Sequence, residues 1–123
     1  MIEIDLKNSE AIAFPGSVVY VTYSDDNLSL GFLRLQPNCS LQKHNRPVEE
    51  WLVQVEGTSV IRLFENDQVV REVTLQRGES LKIPPNQYHQ HTNQEDIGES
   101  LTSWHFDGDI SEVIASLRES VSK

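Results

Sequence analysis

The sequence is short of the features that mark several protein classes. It contains one cysteine, Cys39, so no disulfide can form within the chain, and this suits a reducing compartment. No apolar run approaches the roughly 20 residues that a membrane-spanning helix needs. The first residues lack the basic and apolar stretches of a secretory signal. We therefore expect a cytoplasmic protein with no membrane partner.

Basic residues are also scarce, with 10 Lys and Arg against 19 Asp and Glu, and the net charge is −9. Such a chain offers no basic face to neutralise phosphates, so we expect no nucleic-acid partner. The sequence has no serine or cysteine nucleophile motif, no phosphate-binding glycine loop and no Cys-x-x-Cys spacing. Its 123 residues are enough for one domain with a substantial core, and too few for two.

Short segments of alternating apolar and polar residues, separated by turn residues, fill most of the chain. About eight or nine such segments indicate a β-sandwich or barrel. The first segment stands apart from the others, and we expect it to add to a sheet edge, of this chain or of a partner. The predicted strands cover positions 1–6, 17–23, 28–36 with its resumption at 40–44 after Pro37-Asn38, 50–56, 58–64, 69–75, 80–83, 89–91 and 99–106.

Helical periodicity is found only near the end of the chain. Asp109 and Glu112 frame a capping box, which predicts a helix over 109–121. We expect its one apolar stripe to pack on the outside of the barrel or against a partner. The stripe consists of Ile110, Val113, Ile114, Leu117 and Val121.

The stretch 78–93 carries the most chemistry. Its opening strand must stop at Pro84, because proline has no N–H to give to a sheet. Asn86 tolerates a left-handed turn. His89 and His91 are two positions apart, so on a strand both rings point to the same face. Two imidazoles in that arrangement form either a metal site or a polar barrel lining.

This stretch resembles the second conserved motif of the cupins, G-x5-P-x-G-x2-H-x3-N. Gly78, Pro84, His89 and Asn93 fall in register, and Asn86 stands where the family usually has glycine.

The first cupin motif, H-x-H-x3-E-x6-G, resembles the sequence that begins at His44. Glu50 and Gly57 match, whereas Arg46 occupies the place of the second histidine. The resemblance to the family covers roughly positions 30–106.

The resemblance implies an all-β fold, the cupin double-stranded β-helix or jelly-roll barrel, with a C-terminal α-helix. The whole chain, 1–123, would form one cupin domain with the barrel at about 17–106, and the family suggests a homodimer. The implied metal ligands are His44, Glu50 and His89, with His91 as a candidate fourth ligand. Two imidazoles and a carboxylate suit Fe(II), with Mn, Ni or Zn as alternatives.

Arg46 leaves two functions open. In the first, a divalent metal is bound in the barrel, Arg46 holds the substrate, and the protein is an oxygenase- or isomerase-like enzyme acting on a small anionic or hydroxylated metabolite. In the second, the guanidinium pairs with Glu50 and prevents metal binding. The protein is then a metal-free binding module for a sugar or small acid, with Arg46 as the anchor.

Gln54 and Tyr88 are further candidates for substrate binding. Gln54 shares a strand face with Glu50, and its side chain either lines the cavity or lies on the outer surface. Tyr88 lies next to the turn and either gates the opening or packs against its neighbours. Trp51 and Trp104 are expected in the core. The remaining expectations are a structural Asn93, a surface or edge His105 and a buried, unreactive Cys39.

Overall fold

The computed structural model describes residues 6–121. This part of the chain forms nine strands and one helix. They are β1 (Glu10–Phe14), β2 (Ser17–Ser24), β3 (Ser29–Leu35), β4 (Glu50–Glu56), β5 (Ser59–Glu65), β6 (Gln68–Leu75), β7 (Ser80–Ile83), β8 (His89–Thr92), β9 (Ser100–Phe106) and α1 (Ser111–Val121).

The strands form two antiparallel sheets, a six-stranded one in the order β1-β2-β3-β9-β4-β7 and a three-stranded one in the order β6-β5-β8. Leu33 and Leu52 of the larger sheet share one core cluster with Ile61 and Leu75 of the smaller sheet. The core therefore lies between the two sheets. This confirms the mostly β cupin fold with one C-terminal helix.

Alternation along β4 decides which side chains reach the interior. Glu50, Leu52 and Gln54 are buried, whereas Trp51 and Val53 are each 41% exposed. The expectation that Trp51 lies in the core is wrong, because the two-residue period turns it outward whenever Glu50 faces in.

The two tryptophans have opposite environments. Outside the sheet, the Lys82 ammonium lies 4.3 Å from the centre of the Trp51 ring. Trp104, in contrast, is buried in the core as expected. It packs across Gly31, where a Cβ atom would come within 2.5 Å of the indole ring. A glycine is therefore needed at position 31 for this packing.

Two turns are built on residues with positive φ. Asn66 and Asp67 both have positive φ (52° and 64°), as a two-residue hairpin between β5 and β6 requires. Asn86 has φ 66°, so asparagine takes the left-handed conformation that glycine would otherwise supply.

The structure departs from the predicted strands at two places. β1 at Glu10–Phe14 was not predicted, and the predicted strand at 1–6 falls, except for Leu6, outside the described residues. The predicted strand at 40–44 is wrong. Only its ends, Ser40 and His44, form single bridges, to Thr92 and His89.

Helix α1 begins beside Asp109, whose Oδ1 accepts a hydrogen bond from the Ser111 N–H at 2.9 Å. The helix packs on the barrel through four of its five predicted apolar residues, while the fifth, Val121, is 43% exposed. Arg118 makes two hydrogen bonds to Glu10, which tie the helix to β1. Over the part of the chain described, no helix combines the length and the apolar character needed to cross a membrane.

Candidate metal centre

Two histidines from distant parts of the chain are brought together by their backbones. The His44 N–H donates to the His89 carbonyl at 2.9 Å, and the His89 N–H donates to the His44 carbonyl at 2.8 Å. On β8, His89 and His91 both point inward and are almost fully buried. The strand periodicity therefore places both rings on the face that the sequence predicted.

Four candidate ligands converge in the interior, and each offers a ligand atom within 4.8 Å of the others. These residues are His44, Glu50, His89 and His91. The ring centres of the three histidines are 4.4 to 5.4 Å apart. The structure thus brings together all the metal ligands named from the sequence.

Backbone carbonyls fix the protonation of two rings. His44 Nδ1 lies 2.8 Å from the carbonyl of Gln42, and His89 Nδ1 lies 2.8 Å from that of Gln87. A carbonyl only accepts, so each Nδ1 carries the proton. In the neutral ring each Nε2 then has a free electron pair, which is the arrangement that metal-bound histidines commonly show.

The buried atoms at the centre lack hydrogen-bond partners. His89 Nε2 lies 2.9 Å from Glu50 Oε1, yet neither atom has a hydrogen bond. His91 Nδ1 is also buried without a partner. A free electron pair facing a carboxylate oxygen is unfavourable unless a cation lies between or beside them. The donor set therefore fits a metal ion.

Burial keeps His44 and His91 neutral. It lowers the pKa of His44 to about 2, with its neighbours Arg46 and His89 acting in the same direction. Burial likewise lowers the pKa of His91 well below its usual value, helped by His89, His44 and Arg46. At neutral pH both imidazoles are in the unprotonated form that binds metals.

Arg46 lies beside the cluster but leaves Glu50 free. Within residues 6–121 the two side chains form no ion pair. The guanidinium Nη1 instead makes a long hydrogen bond, 3.4 Å, to the Asn45 carbonyl. Burial lowers the pKa of Arg46, and the charge of Glu50 opposes that shift. The pairing that would have blocked metal coordination is thus not formed.

Two cavities meet at this site. An inner cavity of about 40 Å³ lies between the larger sheet and helix α1, and its lining includes His44, Arg46, Glu50 and His91. An outer pocket of about 410 Å³ opens between α1, the turn around Pro15 and the segment 40–46. The sequence did not reveal that α1 helps to line both cavities. The apolar stripe of α1 is the sequence feature that could have indicated this role.

Gln54 and Tyr88 are not brought to the cluster. The Gln54 amide donates to the Glu56 carbonyl and to Ser100 Oγ, and it accepts from Thr102 Oγ1. Its hydrogen bonds therefore join β4 to β9. Tyr88 is 49% exposed and lies at a separate surface pocket beside the β5–β6 hairpin.

Asn93, His105 and Cys39 were expected to have no role in the site. Asn93 is structural as expected, because its Nδ2 donates to the carbonyls of Leu35 and Gly98. His105 is half-exposed and bonds to Asp107. Cys39 is a free thiol of intermediate burial.

A family model described as the cupin domain matches residues 31–100. The chain belongs to the cupin family. No curated protein matches the sequence.

Several solved structures share the fold. A Bacillus subtilis oxalate decarboxylase mutant matches with TM-score 0.71 and 21% identity over 81% of this chain and 28% of that chain. An RmlC-like cupin from Shewanella frigidimarina matches with TM-score 0.71 and 15% identity over 87% and 90% of the two chains. KdgF from Halomonas sp. matches with TM-score 0.66 and 16% identity over 81% and 87%. The present chain thus spans little more than a quarter of the oxalate decarboxylase.

Proposed function

We propose that His44, Glu50, His89 and His91 hold one divalent metal ion, and that the protein acts on a small anionic or hydroxylated metabolite as an oxygenase- or isomerase-like enzyme. The observation that carries this proposal is the buried, unbonded approach of His89 Nε2 to Glu50 Oε1 at 2.9 Å. A bound cation would remove the unfavourable contact between these two electron-pair donors.

The ligand set narrows the choice of metal. Three imidazoles and one carboxylate suit Mn, Fe, Ni or Zn better than Ca or Mg, which prefer oxygen ligands. Bacillus subtilis oxalate decarboxylase, which shares the fold, contains Mn(II) centres. Manganese is therefore the first metal to test.

The chain's own residues define what the site would do. A bound metal would supply a Lewis acid or an oxygen-activating centre. Arg46, which has no carboxylate partner among the described residues, would bind an anionic group of the substrate. Leu52, Trp104 and Phe106 line the inner cavity with apolar surface, which would keep bulk water from the reacting groups.

Elemental analysis of the purified protein tests the metal proposal. The protein would be measured as isolated, and again after incubation with Fe(II), Mn(II), Ni(II) or Zn(II) and desalting. We expect one metal ion per chain with at least one of them. If none of the four is retained, the metal proposal fails. The metal-free binding module, in which Arg46 anchors a sugar or small acid, then becomes the better account.

A further inference from the structure

The inner cavity is too small for a metabolite. Its volume of about 40 Å³ has room for little more than water. The outer pocket, at about 410 Å³, is within the range of small-molecule sites. His44, Arg46 and Leu117 line both spaces and form part of the wall between them.

We propose that the outer pocket is the ligand site, and that it takes a small hydroxylated monocarboxylate anchored by Arg46. Helix α1 is then part of the binding site as well as a cover for the barrel. This inference deepens the proposed function, because a ligand in this pocket would lie against His44, a proposed metal ligand.

The charge of the pocket favours a single anionic group. Two cationic side chains line it, Lys43 and Arg46. The Lys43 ammonium is already bound to Asp67 at 2.8 Å and lies over the rings of Phe64 and Tyr88, so Lys43 contributes mainly its aliphatic stem. Arg46 has no ion pair in the described part of the chain. One guanidinium without an ion pair matches one carboxylate.

The remaining lining favours a hydroxylated carbon skeleton. Ser116 and Ser120 are one helical turn apart on α1 and face the same pocket as Ser40 and Gln42. Ser120 Oγ donates to the Ser116 carbonyl at 3.0 Å, which leaves its oxygen free to accept from a ligand hydroxyl. Leu41, Leu117 and Phe14 supply apolar contacts for the carbon chain.

The test uses the full-length, metal-free protein, with backbone amide shifts measured by NMR. The probes are D-gluconate, propionate as a carboxylate without hydroxyls, and D-glucose as a neutral polyol. We expect gluconate to shift the amides of 40–46 and 116–120 saturably at millimolar concentration. Propionate should bind at least fivefold more weakly, and glucose should cause no saturable shift.

Variants distinguish the contact of Arg46 with the carboxylate from the contacts of the serines with the ligand hydroxyls. Arg46→Gln should weaken gluconate and propionate binding alike, by tenfold or more, and Arg46→Lys should restore part of it. Replacing Ser116 and Ser120 together by alanine should weaken only gluconate binding, by several-fold. Ser103→Ala is a matched control on β9, because its Oγ bonds to the Val53 carbonyl and it does not line the pocket, and it should change neither affinity.

The proposal is overturned if neither gluconate nor propionate binds saturably, if residues 116–120 do not respond, or if Arg46→Gln leaves both affinities unchanged. Metal retention is measured separately on the same preparation. Gluconate binding without metal retention would support the ligand pocket and contradict the proposed metal site. Metal retention without gluconate or propionate binding would support the metal site and contradict the ligand pocket.

Discussion

His44 and His89 are joined by a reciprocal pair of backbone hydrogen bonds, with N···O distances of 2.9 and 2.8 Å. Neither bond involves an imidazole. The two cupin motifs are therefore held together by main chain, and the proposed metal ligands are positioned before any metal arrives. Replacing a ring should affect metal binding much more than it affects the fold.

His89→Ala tests this separation of roles. The backbone pair with His44 can persist, so we expect a folded protein that retains no metal after desalting. His105→Ala is the matched control, since that ring is half-exposed and lies outside the cluster, and it should retain metal normally. Elemental analysis and circular dichroism provide the readouts. A folded His89→Ala variant with a full complement of metal would rule out the assigned site.

Glu50→Gln should raise the stability of the metal-free protein. The carboxylate oxygen Oε1 is buried without a hydrogen bond, 2.9 Å from His89 Nε2. An amide would remove the charge and offer a donor, a gain of about 1 to 3 kcal/mol in the free energy of unfolding.

The measurement is thermal unfolding of both proteins with EDTA and with Mn(II). The variant should melt higher in EDTA and lose the stabilisation that the metal gives to the unmodified protein. A lower melting temperature in EDTA would show that Glu50 is satisfied without a metal.

The metal-free protein should lose stability as the pH falls below about 6.5, the pKa of an unfolded histidine. In the folded state the pKa of His44 is about 2 and that of His91 is also far below 6.5. Below pH 6.5 the unfolded chain therefore binds more protons than the folded chain does, which favours unfolding.

The expected slope is about 1.4 kcal/mol per pH unit for each of these two histidines once the pH is well below 6.5. Urea denaturation in the presence of a chelator, compared between pH 7 and pH 5, gives the slope. His44→Gln should reduce it. Stability that stays constant over this range would contradict the buried, neutral state of the two rings.

Leu117→Asp should destabilise the protein because Leu117 packs against the core and lines both cavities. Placing a carboxylate there is expected to lower the free energy of unfolding by about 2 kcal/mol or more. Ala115→Asp puts the same charge on the exposed face of α1 and should cost much less. Equal stability of the two variants would show that the helix does not stabilise the barrel.

Replacing each of the two tryptophans by alanine should cause very different losses of stability. Trp104→Ala removes a buried ring packed on Gly31 and should cost about 3 to 5 kcal/mol. Trp51→Ala removes a 41% exposed ring in contact with Lys82 and should cost about 1 kcal/mol. Chemical denaturation measures both. Similar losses would contradict the outward direction of Trp51 on β4 and the inward direction of Trp104 on β9.

Local patterns were enough to predict most elements. Periodicity located β4 at 50–56, and the capping signal near Asp109 located α1 to within two residues. The strand at 10–14 was missed. Its residues form a strand by pairing with β2 throughout its length, which is a tertiary contact. Aromatic character predicts a core position for Trp51, but the alternation along β4 turns it outward because Glu50 faces in.

The sequence by itself determined the cupin fold, the turn at Asn86 and the candidate metal ligands His44, Glu50, His89 and His91, because motif spacing and strand period are local properties. Only the tertiary structure decided that Arg46 leaves Glu50 unpaired and that α1 lines both cavities. Those facts depend on side-chain direction and on the packing of segments distant in sequence. No local pattern encodes the distance between such segments.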